Sequence, residues 1–256
     1  MSAVFDALAA DYDRAFTATP IGRRMREAVW RRCEARFAPG SQILEMNCGT
    51  GEDAVHLARR GMRVWASDIA PSMVALASAK VAREGLTERA VVSQLAWEQL
   101  DTLEREGFDG ALSNFGGLNC LTQIDAVRRP LAQRLRPGAY ALLCVMGPCV
   151  PWEWLWYLVH GAPGKAFRRL RHDGADWSGT RIRYPSIRSL TRALAPEFQV
   201  RRVAAIGALL PPPYTGPWAE RHPRLLAWLD RCERRLEALP PLPWLADHYL
   251  LEAERS

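Results

Sequence analysis

No two cysteines in this 256-residue chain stand at CxxC spacing. The six present (Cys33, Cys48, Cys120, Cys144, Cys149 and Cys232) are scattered, several of them inside apolar runs where a free thiol behaves as a small hydrophobe. That pattern excludes a zinc ribbon or a disulfide framework and suits a reduced, cytoplasmic protein with no metal site. No internal repeat or low-complexity tract appears, so one fold should organise most of the chain. The opening MSAVFDALAADYD carries acids and no basic stretch ahead of an apolar run, which argues against a secretory signal. An unbroken membrane-length apolar run is also missing: the longest, from Ala139 to Pro163, is interrupted by Pro148, Pro151 and Glu153. A buried strand followed by a Trp-rich loop and helix fits it better than a membrane span.

What is present is enough apolar residue, 48% against 24% charged, to bury one large core. The formal net charge of +6 comes largely from arginine, dense in RRMREAVWRR, RRLRH and RIRYPSIRSLTR. Such density attracts phosphate or carboxylate partners, but solvated helix faces are its commoner meaning.

Helical periodicity runs from Phe5 to Phe37, divided by Pro20. Short apolar strands and helical segments then alternate: SQILEM, GEDAVHLARRG, RVWASD, PSMVALASAKVAREG, AVVSQL, a helix near WEQLDTL, DGALSNF, a helix ending near Arg136, and AYALLCVM. This interleaving predicts a doubly wound α/β domain, its sheet mostly parallel and covered on both faces. A segment crowded with Trp, Pro and Gly follows Met146. Regular pattern returns with the helix SIRSLTRAL, the strand FQVRRVAAIG, a PPPY loop, one helix from Trp218 to Leu239, and the strand HYLLEA. The expected organisation is a helical lid over 1–40, a nucleotide-binding core over 41–147, a substrate cap over 148–180, and the rest of the sheet with a helical insertion over 181–256.

The segment ILEMNCGTGEDA places Gly49 and Gly51 between a strand and a helix start, where backbone N–H groups and the helix dipole favour an anionic group. Asp68 ends the next strand, 17 residues after Gly51, and a carboxylate there can accept both ribose hydroxyls. Read literally, Gly49 to Ala54 also matches the G-x-G-x-x-A dinucleotide fingerprint, so a nicotinamide oxidoreductase stays open. Glu45, just before the loop, would repel a pyrophosphate yet could face an ammonium. About forty residues of helix before the first strand and a C-terminal hairpin weigh the same way.

Glu45-Met46-Asn47-Cys48-Gly49-Thr50-Gly51 resembles motif I of the class I S-adenosylmethionine (SAM) dependent methyltransferases, with Asn47 replacing the commoner first glycine. The resemblance covers roughly residues 5–145 and the C-terminal hairpin. It implies a Rossmann-like sheet of seven strands with an antiparallel last strand, and SAM as cofactor leaving as S-adenosylhomocysteine (SAH). On it, Asp68 holds ribose, Ile69 packs on adenine and Met73 continues the pattern. Leu95 stands where an adenine-binding acid is usual, leaving Ala96, Trp97 or Gln94 for that role. Asn114 lies beneath the methyl, Tyr12 belongs to an element that folds over SAM, and Arg26 approaches its carboxylate.

Positioning supplies much of the rate of methyl transfer, so a base is needed only for acceptors that must lose a proton. The polar candidates for a catalytic role are Tyr12, Glu153, His160 and Tyr214. Trp152, Trp154, Trp156 and Tyr157 are expected to wall the acceptor, or else to form the cap's own small core. His248 reads as a structural histidine. The expected activity is metal-independent transfer to N, O or S of a small metabolite by a monomer or homodimer. The pattern disfavours nucleic acid as acceptor, leaving as alternatives an RNA or protein methyltransferase and a catalytically silent SAM-binding partner subunit.

Overall fold

The computed structural model describes residues 2–177 and 179–256; Met1 and Ser178 lie outside them. Helix α1 (Ser2–Tyr12), a π-helical turn at Asp13–Thr17 and helix α2 (Pro20–Arg36) precede the sheet. Pro20 sits at the first helical position, where its missing N–H costs nothing, and the Gly22 N–H donates to the Thr19 hydroxyl at 3.0 Å.

The core alternates β1 (Gln42–Met46), α3 (Glu52–Arg59), β2 (Arg63–Asp68), α4 (Pro71–Arg83), β3 (Ala90–Gln94), β4 (Phe108–Ser113), α5 (Asp125–Arg134) and β5 (Leu135–Met146). A cap follows, built from α6 (Pro151–Val159), α7 (Pro163–Ala166) and the hairpin β6 (Ala175–Trp177) and β7 (Thr180–Ile182). The chain closes with α8 (Ile187–Leu194), β8 (Phe198–Ile206), α9 (Gly216–Arg221), α10 (Pro223–Leu236) and β9 (His248–Arg255).

The seven strands lie in the order β3-β2-β1-β4-β5-β9-β8, with β1 to β5 parallel and β9 antiparallel between β5 and β8. Strand order reverses beside β1, so its carboxyl end and that of β4 open the crevice in which such sheets bind ligands. Alternate strand residues serve two cores. Ile43, Leu112, Cys144 and Leu250 meet α2, α3, α4 and α10 on one face; Leu44, Met46, Leu143 and Leu251 meet α5 and α8 on the other. Burial on both faces is why the strands read as unbroken apolar runs.

Two local expectations are corrected and one element is new. WEQLDTL forms a 3-10 turn over Trp97–Thr102 rather than an α-helix; only Trp97 and Leu100 are buried there, too few for an apolar stripe. The helix expected from Trp218 to Leu239 is two, because Pro223 pushes His222 out of the helical region, to φ −124° and ψ 51°. The β6-β7 hairpin carried no alternating signal; it depends on Gly174, at φ +78°, where a Cβ would collide with the Ile182 carbonyl. Among the described residues no helix is long and apolar enough to cross a membrane.

Candidate active site

A cavity of about 670 Å³ lies over the carboxyl ends of β1, β2 and β4. The loops after these strands contribute Asn47, Gly49, Asp68, Ile69, Asn114 and Phe115; Ala96 and Trp97 follow β3. Tyr12, Arg26 and Met73 line it from the helices, while Tyr157 and Tyr214 come from the C-terminal half. Glu45, Gly51, Glu153, His160, Trp152, Trp154 and Trp156 do not line it.

The glycine loop shows why each position is filled as it is. Asn47 has φ +52°, a left-handed conformation that asparagine tolerates better than other side chains, so it can stand where the family motif has glycine. Its amide donates to the Asn114 carbonyl at 2.8 Å and accepts from the Ser113 hydroxyl at 2.6 Å, tying the loop after β1 to the end of β4. Gly49, at φ +54°, has nothing within 4 Å of where a Cβ would stand, leaving its backbone open to a ligand. Gly51 has a packing role instead: at φ +81°, a Cβ would stand 2.9 Å from that of Ala77 in α4. Asp68 accepts the Gly49 N–H and the Ala70 N–H, each at 2.9 Å. Burial raises its pKa against the opposing pull of those backbone donors.

Behind the loop lies a buried ionic centre around Asp53, a residue the sequence reading did not select. Asp53 takes Arg26 at 2.6 Å and the Asn114 amide at 3.0 Å on one oxygen, and the Trp30 indole at 2.6 Å on the other. Burial depresses Arg26, but the adjacent carboxylate outweighs it and holds the guanidinium charged. Arg26 is thereby committed to Asp53, with only its Nε unsatisfied. The sequence signal was Asp53 in the first turn of α3, which ordinarily reads as a helix-dipole residue. Glu45 is 1% exposed, neither carboxylate oxygen has a hydrogen-bond partner, and burial pushes its pKa well above the carboxylate range. Asn114 Oδ1 and the Trp97 indole N–H are also buried without partners.

The N-terminal helices are latched over this end. Lys80, buried on α4, donates to Asp13 at 2.7 Å and to Glu52 at 2.6 Å, and the Thr50 hydroxyl donates to Asp13 at 2.6 Å. The rings of Phe5 on α1 and Trp177 on the cap hairpin approach to 6.0 Å. Burial pushes the Asp13 carboxyl up, but Lys80 and Thr50 prevail and hold it below its usual value. Its stabilising share is therefore present above its unfolded pKa and lost as pH falls through the lower folded value. Lys80→Met leaves Asp13 and Glu52 facing each other unneutralised and is expected to speed proteolysis between Tyr12 and Pro20 at least tenfold at neutral pH. The contrast should fade toward pH 3, as the Asp13 carboxylate protonates; limited proteolysis over that range checks it.

The cap corrects several expectations for catalysis. Glu153 is 1% exposed and held between Arg168 (3.0 Å) and Arg169 (2.7 Å), so it serves as a counter-ion and has no route to the acceptor. Arg169 also reaches Asp247 at 2.6 Å, and this pairing holds the Asp247 carboxyl below its ordinary range despite burial. His160 is exposed outside the cavity, its Nδ1 2.7 Å from the Trp156 carbonyl and its ring stacked on Trp156. Trp154 packs on Phe167 and Trp156 on Tyr214, each at 5.8 Å, so these rings serve the cap's own core, and Trp152 is half-buried away from the cavity. Tyr157 alone of that run faces the site, 5.7 Å from Tyr214. Asn119 was also missed: its amide bonds Met146 and Arg183 together, stapling both ends of the cap to the sheet. Among the described residues no group of three or more His, Cys, Asp or Glu is arranged to hold a metal ion.

The sequence profile of a family described as a methyltransferase domain matches residues 43–138. The S-adenosyl-L-methionine-dependent Diels-Alderase iliD of Neonectria sp. (strain DH2) is 35% identical over 94 residues, covering 36% of this chain and 38% of that protein. The demethylmenaquinone methyltransferase of Clavibacter sepedonicus is 28% identical over 157 residues, covering 59% and 60%. The chain thus spans three-fifths or less of the length of these curated relatives. Among solved structures, one described as converting a disulfide bond into a thioacetal group during echinomycin biosynthesis aligns with a TM-score of 0.60 at 22% identity, covering 100% of this chain and 92% of that one, a likeness of fold.

Proposed function

Given that the chain belongs to the class I SAM-dependent methyltransferases, we propose that it binds SAM over the carboxyl ends of β1 and β2 and transfers its methyl group to N, O or S of a small metabolite. The observation that carries the cofactor assignment is the set of buried polar atoms left without partners around the glycine loop. On the cavity wall Asn114 Oδ1 offers an acceptor and Arg26 Nε a donor, and the Glu45 carboxylate lies behind them near Arg26, Asp53 and Asp68, together the complement of an amino acid's ammonium and carboxylate. Asp68 retains lone pairs for two ribose hydroxyls after its backbone bonds. Ile69, Met73, Ala96 and Trp97 form the adenine side, with the free Trp97 N–H as a donor there.

Bound SAM supplies an electrophilic methyl on a sulfonium. The chain's part is to position and to exclude water. Asn114 and Phe115 follow β4 at the boundary between the cofactor and acceptor halves. Phe115 is held at φ +50°, its ring 5.0 Å from the Arg26 guanidinium and edge-on to His248 at 5.2 Å. Such strain persists only where the surroundings over-determine it, and here it fixes the floor under the acceptor. Tyr12 and Phe5 cover the cavity from the lid. Tyr214 stays a neutral phenol, because burial and the nearby Glu153 raise its pKa, so it serves as a hydrogen-bond donor rather than a base. No carboxylate follows Asn114 before Asp125, which supports metal-independent transfer.

The test is calorimetry with SAH and NAD, followed by transfer from methyl-labelled SAM into a small-molecule extract and into RNA, with and without EDTA. Micromolar SAH binding with EDTA-resistant label in the extract is expected. Binding of NAD alone, or label only in RNA, would overturn the reading. A second reading is favoured by the Diels-Alderase relative: SAM held and not consumed while a polyene cyclises. Unchanged SAM after turnover of an acceptor would select it.

A further inference from the structure

The cap end of the cavity differs in charge from the cofactor end. There Glu52 and Asp53 are already paired with Lys80 and Arg26. At the cap, Lys165, Arg168 and Arg169 line the wall within five residues of chain, beside the rings of Tyr157, Tyr184 and Tyr214. Arg169 is spent on Glu153 and Asp247, and Arg168 shares the same Glu153. Lys165 is exposed to the cavity side and has no ion-pair partner among the described residues. Asp176 is the lone carboxylate that the cap places on this wall, and its Oδ1 accepts the Gly179 N–H at 3.2 Å. Arg169 Nε is buried without an acceptor. The Arg168 guanidinium lies 5.2 Å over the Tyr157 ring and that of Arg169 5.3 Å over Tyr184, so cationic and aromatic surfaces are interleaved.

We propose that this end is an anion subsite, in which Lys165 and Arg168 hold a carboxylate or phosphate on an aromatic acceptor whose ring lies among Tyr157, Tyr184 and Tyr214. The assignment rests on the acceptor half of the cavity proposed above. It narrows the substrate class from any small nucleophile to a planar molecule with an anionic head. The anion also gives Lys165 an ion-pair partner, whereas Arg168 and Arg169 already face the buried carboxylates of Glu153 and Asp247. A neutral acceptor would leave Lys165 without an ion-pair partner at the wall.

The experiment titrates 2-naphthoate, 2-naphthyl phosphate and neutral 2-naphthamide into the full chain, with and without saturating SAH. One anion is expected to bind at least about tenfold more tightly than the amide, the worth of one charge-assisted hydrogen bond. The tighter of the two identifies the head group. Lys165→Gln removes a cation with no ion-pair partner and should erase most of that preference while SAH affinity and thermal unfolding stay as they were; Arg168→Gln should erase the rest. Equal binding of the amide, an undiminished preference in both variants, or no anion binding at millimolar concentration would overturn the subsite. Loss of SAH binding by the unmodified chain would instead strike the cofactor reading, since the anion titration without SAH still reports on the cap.

Discussion

Asp68→Ala is expected to weaken SAH binding about a hundredfold. The ribose of the nucleoside offers two hydroxyls, and a carboxylate that accepts both gains about 1.5 kcal/mol or more from each charge-assisted bond, or two decades of affinity together. Asp68 suits that task, because each of its oxygens accepts one backbone donor, Gly49 N–H or Ala70 N–H, and retains capacity for another in a residue that lines the cavity. The same bonds make the residue part of the loop's structure. The alanine variant therefore also strands two backbone N–H groups and should unfold at lower temperature without ligand. Asp68→Asn separates the two roles: it keeps the shape and one acceptor oxygen, so stability should largely recover while affinity stays at least about tenfold down. Burial raises the Asp68 pKa, so SAH affinity should begin to fall on acidification above the pH at which an exposed carboxylate protonates. Calorimetry of the three proteins between pH 5 and 8 checks this; an Asp68→Ala protein that folds and binds SAH undiminished would remove the ribose assignment.

The parts of this site that could be read in the sequence are those whose chemistry is carried by the backbone and its immediate neighbours. Gly49, Asp68 and Asn114 sit at strand ends, and a parallel α/β order brings strand ends together whatever lies between them. Asn47 departed from the family motif, yet its φ of +52° shows the position still demands the left-handed conformation that the usual glycine supplies. Gly51 was legible as a turn glycine, at φ +81° before α3, but the close approach of Ala77 is a tertiary contact with no local trace. The cap was the least legible. Six neighbouring residues, Trp152 to Tyr157, carry mostly aromatic rings, and on a helix only one face can meet the cavity, which proved to be the face of Tyr157. Glu153 sits on that helix too, but its partners Arg168 and Arg169 stand 15 and 16 residues further on, and Arg169 is itself fixed by Asp247 from the far end of the chain, so nothing nearby marked Glu153 as a counter-ion. Asp53 and Asn119 were missed for the same reason: each is defined by the segments it joins, Asp53 linking α2 to the end of β4 and Asn119 linking β5 to Arg183.

Glu45→Gln should move stability and cofactor affinity in opposite directions. In the free protein the Glu45 carboxyl is fully buried, has no hydrogen-bond partner, and lies near Asp53 and Asp68, so burial first and those charges second push its pKa well above the ordinary value. A carboxyl with a raised folded pKa is not penalised below its unfolded pKa, where both states are protonated. Its cost grows as pH rises toward the folded value, by about 1.4 kcal/mol per pH unit across that window. The glutamine variant has no such group. Its unfolding free energy should match that of the native chain near pH 4 and exceed it increasingly toward pH 7. With SAH the order reverses, because an ammonium brought close to Glu45 stabilises the ionised form, and replacing that pairing by an amide should cost about ten- to a hundredfold in affinity. Ionisation on binding also releases a proton. The heat of SAH binding to the native chain should therefore depend on the ionisation enthalpy of the buffer, and that dependence should be reduced in the variant. If instead the variant binds SAH as tightly as the native chain with the same proton release, Glu45 does not meet the ammonium and the amino-acid end of the cofactor is held by Asn114 and Arg26 alone.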